Sequence, residues 1–232
     1  MTEARSAVPS DRLRAFDMRS VIRSVVDEES FVEFRREYAP GAITGIARVA
    51  GVPVALIAND NHHLGGAIDV DAARSFVDLL ELAEAHRFPV VSFIDTPGFM
   101  VGPEAEREPG VRAFGKLFVA GARLSVPLGA VVVRKCYGLG AMAMSAGSSI
   151  SSQFTVAWPS GELGPMGLEG GVRLGYAKEL AGAASEAERE ARFEELLAQA
   201  YEQGRAMSAA MMFDVDDVID PADTRTWITT LT

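Results

Sequence analysis

The chain has 232 residues, of which 48% are hydrophobic and 23% charged; this balance supports a buried core and argues against extended disorder. A formal net charge of −10 and a pI near 4.9 exclude nucleic acid or an anionic membrane surface as the main partner, because both select a basic footprint. The single cysteine, Cys136, rules out an intrachain disulfide, and a zinc site would have to combine the adjacent His62 and His63 with distant carboxylates.

The opening MTEARSAVPSDRLRAFD carries no apolar leader, and no apolar run reaches the roughly 18 to 20 residues that span a bilayer, so the expectation is a cytoplasmic protein. Residues 1–12 are polar and without apolar period, which predicts a flexible N-terminus ahead of one domain over 13–232. Met18, Val21, Ile22 and Val25 mark one face of a short helix. Two β-branched runs, 42–49 and 52–58, meet at Gly51 as a hairpin. From Asp69 to Arg87 a helical pattern carries Ala72, Phe76, Leu79, Leu80 and Ala83, and Pro89 stops it. Val90 to Ile94 is apolar throughout and too short for a helix, as a strand buried on both faces would be.

The unit then repeats. A helix over 111–124 precedes a strand over 128–133, a glycine turn at 138–140 leads into a small-residue helix over 141–146, and a strand over 154–157 precedes a loop over 159–171. Helices alternating with buried strands predict an α/β fold with a largely parallel sheet. A charged helix over 185–205 opens with a capping box at Ser185 and Glu188. One side of it (Phe193, Leu196, Leu197, Ala200) is either a subunit contact or an ordinary amphipathic face. An apolar cluster (Met211, Met212, Phe213) and the acidic stretch DVDDVIDPADTR complete the chain.

Ligands of open α/β sheets gather at the carboxyl ends of the strands, and three glycine loops sit there. In Asp95-Thr96-Pro97-Gly98-Phe99 a proline and a glycine permit a sharp turn that leaves N–H groups outside the ladder; the alternative is a strand-ending turn capped by Asp95. In Tyr137-Gly138-Leu139-Gly140-Ala141 the N–H groups of a helix start would favour negative charge, or glycine serves packing alone; the full dinucleotide fingerprint is missing. The loop 160–171, with five glycines, Glu162 and Glu169, is a pocket lining or a plain connection. No serine sits in a nucleophile elbow, and Cys136 at a strand end fits a packed small residue.

Six stretches, in order, carry a resemblance: FDMRSVIRSVVDEESFVEF, VPVALIAND with HLGGAID, DTPGFMVGPEAE, VPLGAVVVRKCYGLGAMAM, FTVAWPSGELGPMGLEGGVRLGY and DVDDVIDPADTR. The chain resembles the C-terminal half of the carboxyltransferase (β) chain of biotin-dependent acyl-CoA carboxylases of the propionyl-CoA and acetyl-CoA type. The resemblance implies a single-domain crotonase-like (ClpP/crotonase) ββα superhelix. It implies an oxyanion hole from the peptide N–H groups of Gly98 and Phe99 with Leu139, Gly140 or Ala141, and cofactor or substrate contacts at Tyr137, Gly138, Met142, Glu162 and Gly167. In the family an N-terminal half holds the acyl-CoA thioester and this half the biotin side, so the implied partners are a separate N-half subunit, a biotin carboxyl carrier protein and biotin carboxylase, within a dimer, trimer or hexamer.

No AMKM attachment pattern is present; Arg205-Ala206-Met207-Ser208 offers no lysine, so biotin is expected on a separate protein. Met142 stands where several members carry an aspartate or another residue that helps set acyl length. Met144 replaces the glutamate of related hydratases, which disfavours hydration, and Glu162 lies near their second carboxylate. Two other readings use the same resemblance: an autonomous decarboxylase or thioesterase, and a non-catalytic scaffold subunit of a carboxylase.

Overall fold

The computed structural model describes residues 2–103 and 105–232. Helices α1 (Thr2–Ala7) and α2 (Met18–Val25) precede strands β1 (Val32–Phe34), β2 (Ala42–Val49) and β3 (Val52–Asn59). There follow α3 (Val70–His86), β4 (Val90–Thr96), α4 (Gly110–Arg123), β5 (Leu128–Tyr137), α5 (Gly138–Met144), β6 (Phe154–Ala157) and β7 (Glu162–Gly164). Last come α6 (Leu168–Gly175), α7 (Ala177–Ala181), α8 (Glu186–Gly204), α9 (Ala206–Met211), β8 (Asp217–Val218) and α10 (Thr224–Thr229).

The described residues form one eight-stranded sheet of order β1-β2-β3-β4-β5-β6-β8, with β7 beside the far end of β5. Strands β1 to β3 are antiparallel, and the run from β3 through β8 is parallel. The β2–β3 hairpin turns through Ala50 and Gly51, both at positive φ (52° and 82°), the backbone that a two-residue hairpin requires. The Asp27 carboxylate accepts both of their N–H groups at 3.1 and 2.8 Å. Helix α3 starts where Asp69 accepts from Ala72 N at 2.8 Å and stops at Arg87, which takes the left-handed conformation ahead of Pro89.

The continuous apolar runs are explained by burial on both faces. Val54, Leu56, Ala58, Val91, Phe93, Val131 and Val133 point into a core closed by α1, α2 and α10. The alternate residues Ala55, Ile57, Val90, Ile94 and Ala130 point into a second core beneath α3, α4 and α5.

The structure corrects three expectations and adds one strand. The opening residues do not simply fray: Thr2–Ala7 is helical, because Ala4 is buried in the first core and Arg5 pairs with Asp220 at 2.6 Å. The glycine turn is the first turn of α5 itself, since β5 runs on to Tyr137 and the helix starts at once at Gly138. The loop 159–171 contains β7 and the start of α6. The acidic tail contributes β8: Val215 and Ile219 are buried, and Ile219 N donates to Ala157 O at 2.8 Å.

Phe76 has no solvent exposure and fastens α3 to the sheet. Phe76→Ala is expected to cost about 3–5 kcal/mol, read as a lower urea midpoint at unchanged m-value.

Candidate active site

The strands that carry the two glycine loops are joined by a buried ion pair. Asp95 and Arg134 are 0% and 3% exposed; Arg134 Nη2 and Nε donate to the two carboxylate oxygens at 2.9 and 3.2 Å. Asp95 Oδ1 also accepts from Lys135 N at 3.0 Å, and Asp95 N donates to Asn59 Oδ1 at 3.1 Å. The pair sits at a bulge: between the partners Ile94↔Val132 and Thr96↔Cys136, β5 advances four residues while β4 advances two. Extra residues of this kind re-aim side chains, and here they turn Arg134 onto Asp95. Arg134 also donates to Arg14 O at 2.7 Å and lies 4.7 Å from the centre of the Phe16 ring. The Lys135 ammonium bonds Gly65 O; its pKa is lowered, first by burial, although Asp95 opposes the shift.

Beyond the pair, glycine lets backbone cross backbone. Gly98, at φ 119°, donates to Thr96 Oγ1 at 3.1 Å, while its carbonyl accepts from Ile68 N at 2.9 Å. Met100 N donates back to Ile68 O at 2.8 Å. Phe99 N, between them, has no acceptor among the described residues, and the Phe99 ring is fixed by stacking on Phe114 at 4.2 Å. A Cβ added to Gly140 would lie 2.7 Å from Gly98 C and 2.8 Å from Phe99 N. The first turn of α5 is therefore laid directly on the Gly98–Phe99 peptide. No side chain caps that turn, and the first N–H groups of an α-helix have no carbonyl partner within the helix. Gly138, at φ 60°, would meet Pro165 O at 2.9 Å if it carried a Cβ, and Gly66 would meet Asp95 O at 2.2 Å.

Gly98, Phe99, Leu139, Gly140 and Ala141 thus come together, with Tyr137, Gly138 and Met142 on the same strand end and helix. Leu139 and Met142 face outward, at 62% and 40% exposure. Glu162 is reached through Tyr137, whose hydroxyl donates to Glu162 Oε2 at 2.8 Å, and through Arg12, paired with Oε1 at 2.5 Å. Glu162 is therefore a tether for Tyr137 and for the N-terminal segment. Burial first, then the charge of Glu162, pushes the Tyr137 phenol up, which keeps it a hydrogen-bond donor. Gly167 stands apart, at the start of α6 with open space beside it.

Burial pushes the Cys136 thiol up to about 12, which removes the thiolate a nucleophile needs. His62 and His63 bond different carboxylates, Asp60 and Asp69. Sequence reasoning missed Arg134, Lys135, Thr96, Gly66 and Arg12. The available signals were the charged Arg134-Lys135 pair at the end of an apolar run and the double glycine of HLGGAID. Along the other face of α5 runs a cavity of about 700 Å³.

Comparison with known proteins shows which family the chain resembles. A family model described as the carboxyl transferase domain matches residues 1–231. The propionyl-CoA carboxylase beta chain of Saccharopolyspora erythraea is 33% identical over 96% of this chain and 41% of its own length. A solved single-chain, multi-domain long-chain acyl-CoA carboxylase is 55% identical, with a TM-score of 0.91 over 99% of this chain and 22% of its own. The transcarboxylase 12S structure, a hexamer assembly with methylmalonyl-CoA bound, is 32% identical with a TM-score of 0.91 over the whole of this chain and 44% of its own. The chain spans less than half the length of each of these relatives. Among the described residues no helix is long and apolar enough to cross a membrane.

Arg134→Met would strand the buried Asp95 carboxylate and is expected to cost about 3–5 kcal/mol. Adding Asp95→Asn should restore part of that loss by removing the uncompensated charge. Urea unfolding of the single and double variants measures both.

Proposed function

The chain belongs to the carboxyl transferase domain family, and on that premise we propose that it is the biotin-side half of an acyl-CoA carboxyltransferase. It moves a carboxyl group from carboxybiotin on a carrier protein to an acyl-CoA held by an N-half partner. One observation carries the reading: two loops from neighbouring strands are laid on each other so that Phe99 N and the first turn of α5, which no side chain caps, stand together. Biotin, when bound, supplies the activated carboxyl group.

The chain's own residues hold charge in place. Release of the carboxyl group leaves negative charge on the ureido oxygen, and fixed N–H dipoles stabilise such charge with no reorganisation during the step. Phe99 and Leu139 or Gly140 supply those donors. Gly98 and Gly140 keep the two main chains close, and the Asp95–Arg134 pair holds the strand ends that carry them. The donor set is neutral and backbone-borne, which fits a neutral ureido ring.

The relatives carboxylate substrates named from propionyl-CoA to long-chain acyl-CoA, so membership supports the acyl-CoA class. The relatives' names also favour transfer over the autonomous decarboxylase, thioesterase and scaffold readings. The proposed partners are an N-half subunit, a biotin carboxyl carrier protein and biotin carboxylase, in an oligomer for which the 12S hexamer is the precedent, acting in the cytoplasm.

Reconstitution tests the proposal. The purified chain alone is expected to fix no labelled bicarbonate into acyl-CoA, and the chain with an N-half subunit, a biotinylated carrier and biotin carboxylase is expected to do so. Gly140→Val, which drives side-chain atoms into the Gly98–Phe99 peptide, should lower that activity by at least about 100-fold, as loss of an oxyanion donor does, while the far-ultraviolet dichroism stays unchanged. Acyl-CoA turnover by the chain without biotin, or full activity of Gly140→Val, contradicts the proposal.

A further inference from the structure

Between α1 and α2 the chain reaches β7 and then the bulge of β5. It turns at Asp11, whose Oδ1 accepts from Leu13 N at 3.0 Å and whose carbonyl accepts from Arg14 N at 3.2 Å. The turn leaves Leu13 exposed, sends Arg12 onto β7 and brings Arg14 O to Arg134. Phe16 closes the segment: it is buried, its N–H donates to Asn61 Oδ1 at 2.9 Å, and its ring lies against the Arg134 guanidinium. Residues 12–16 therefore touch what supports each glycine loop, Arg134 for the Gly98 loop and Glu162 for the start of α5.

Arg12 has two partners of different kinds. Its Nη2 donates to Glu162 Oε1 at 2.5 Å, and its guanidinium lies 3.2 Å from the centre of the Tyr201 ring on α8, whose hydroxyl donates to Glu169 on α6. A guanidinium both stacked and paired is held in one place. The Glu162 side chain is 13% exposed, and among the described residues no other cation lies within ion-pair distance of it. Lys135 bonds Gly65 O instead, and Arg205 pairs with Glu202. Without Arg12 that carboxylate would be desolvated and uncompensated. Its second oxygen accepts from the Tyr137 hydroxyl at 2.8 Å, and Tyr137, itself 5% exposed, is the residue from which α5 starts. The strand that carries Glu162 pairs with β5 through Tyr137↔Gly164, and Pro165 O then lies where a Cβ on Gly138 would meet it at 2.9 Å.

We infer that Arg12 is a positioning residue of the candidate site, acting through Glu162 and Tyr137 to set where the first turn of α5 stands against the Gly98–Phe99 peptide. This rests on the carboxyltransferase reading above. Arg12 bonds Glu162 and stacks on Tyr201, neither of them on the two crossing loops, so its effect travels through the Glu162–Tyr137 hydrogen bond and through β7. Main-chain donors stabilise charge only at the point where it grows, and a displacement of about 1 Å is costly. They are aimed by whatever holds the main chain. The Asp95–Arg134 pair does this at the strand ends, and Arg12 does it for the helix start.

Two measurements test the inference. In the purified chain, the amide resonances of Leu139 and Gly140 are expected to shift in Arg12→Ala and to return to their parent positions in Arg12→Lys, which keeps the charge beside Glu162, while those of Phe76 and Leu80 in α3 stay fixed in both. Unmoved Leu139 and Gly140 resonances in Arg12→Ala, or a change spread through α3, overturn the inference. In the reconstituted complex, Arg12→Ala should lower kcat at least about tenfold and leave KM for the acyl-CoA, which the N-half partner holds, within about twofold. Arg12→Lys should recover kcat to within about threefold. Tyr137→Phe, which cuts the last hydrogen bond of the relay, should lower kcat in the same way, and the double variant Arg12→Ala with Tyr137→Phe should be no worse than the more severe single one. A loss confined to KM, no recovery with lysine, or losses that multiply in the double variant overturn the positioning role. If the parent complex carboxylates nothing, the transfer reading falls, and the amide resonances alone decide whether Arg12 sets the start of α5.

Discussion

Asp95 and Arg134 form a fully desolvated ion pair at the mouth of the parallel sheet, and the geometry of the candidate site follows from it. Two charges removed from water are tolerable only when each is well matched. The match here is bidentate and supplemented by Lys135 N, Arg14 O and the Phe16 ring. Because Asp95 is the penultimate residue of β4 and Arg134 lies in the bulge of β5, the pair fixes two neighbouring strand ends relative to each other. The loops that leave those ends inherit that register. Arg14 and Phe16 draw the N-terminal segment into the same contact.

Given that register, small residues do the rest. Gly66 lies against Asp95 O, Gly140 against Gly98 and Phe99 N, and Gly138 against Pro165 O. Each crossing brings main chain to a distance that a methyl group would forbid. The product is a set of main-chain N–H groups brought close together by packing. Such donors suit chemistry in which charge grows on an oxygen, and the thiol at Cys136, raised by burial, offers no competing route.

Much of the fold could be read in the residues, for identifiable reasons. Strands β3 to β6 are apolar and buried on both sides along most of their length, and α3 carries its own start at Asp69 and stop at Arg87 and Pro89. Both donor loops were visible as glycines after such strands, and the resemblance joined them. What escaped was decided by distant partners. Helix α1 depends on Asp220, 215 residues away. Strand β8 hides in an acidic run, because only Val215 and Ile219 face inward. Glu162 reads as a loop carboxylate until Arg12 and Tyr137 claim its two oxygens. Arg134 reads as the polar end of a strand, since nothing local reveals a bulge that turns it inward.

The glycine crossings at Gly66, Gly98 and Gly140 also decide how this site can be damaged. Its donors belong to the main chain, so truncating side chains along the loops deletes none of them, and a reagent that modifies functional groups finds little to modify. Harm comes from added atoms: one methyl group at Gly140 disturbs what removing the Leu139 side chain leaves in place. A scan that shortens residues would pass over the site in silence, while a scan that enlarges them would outline it.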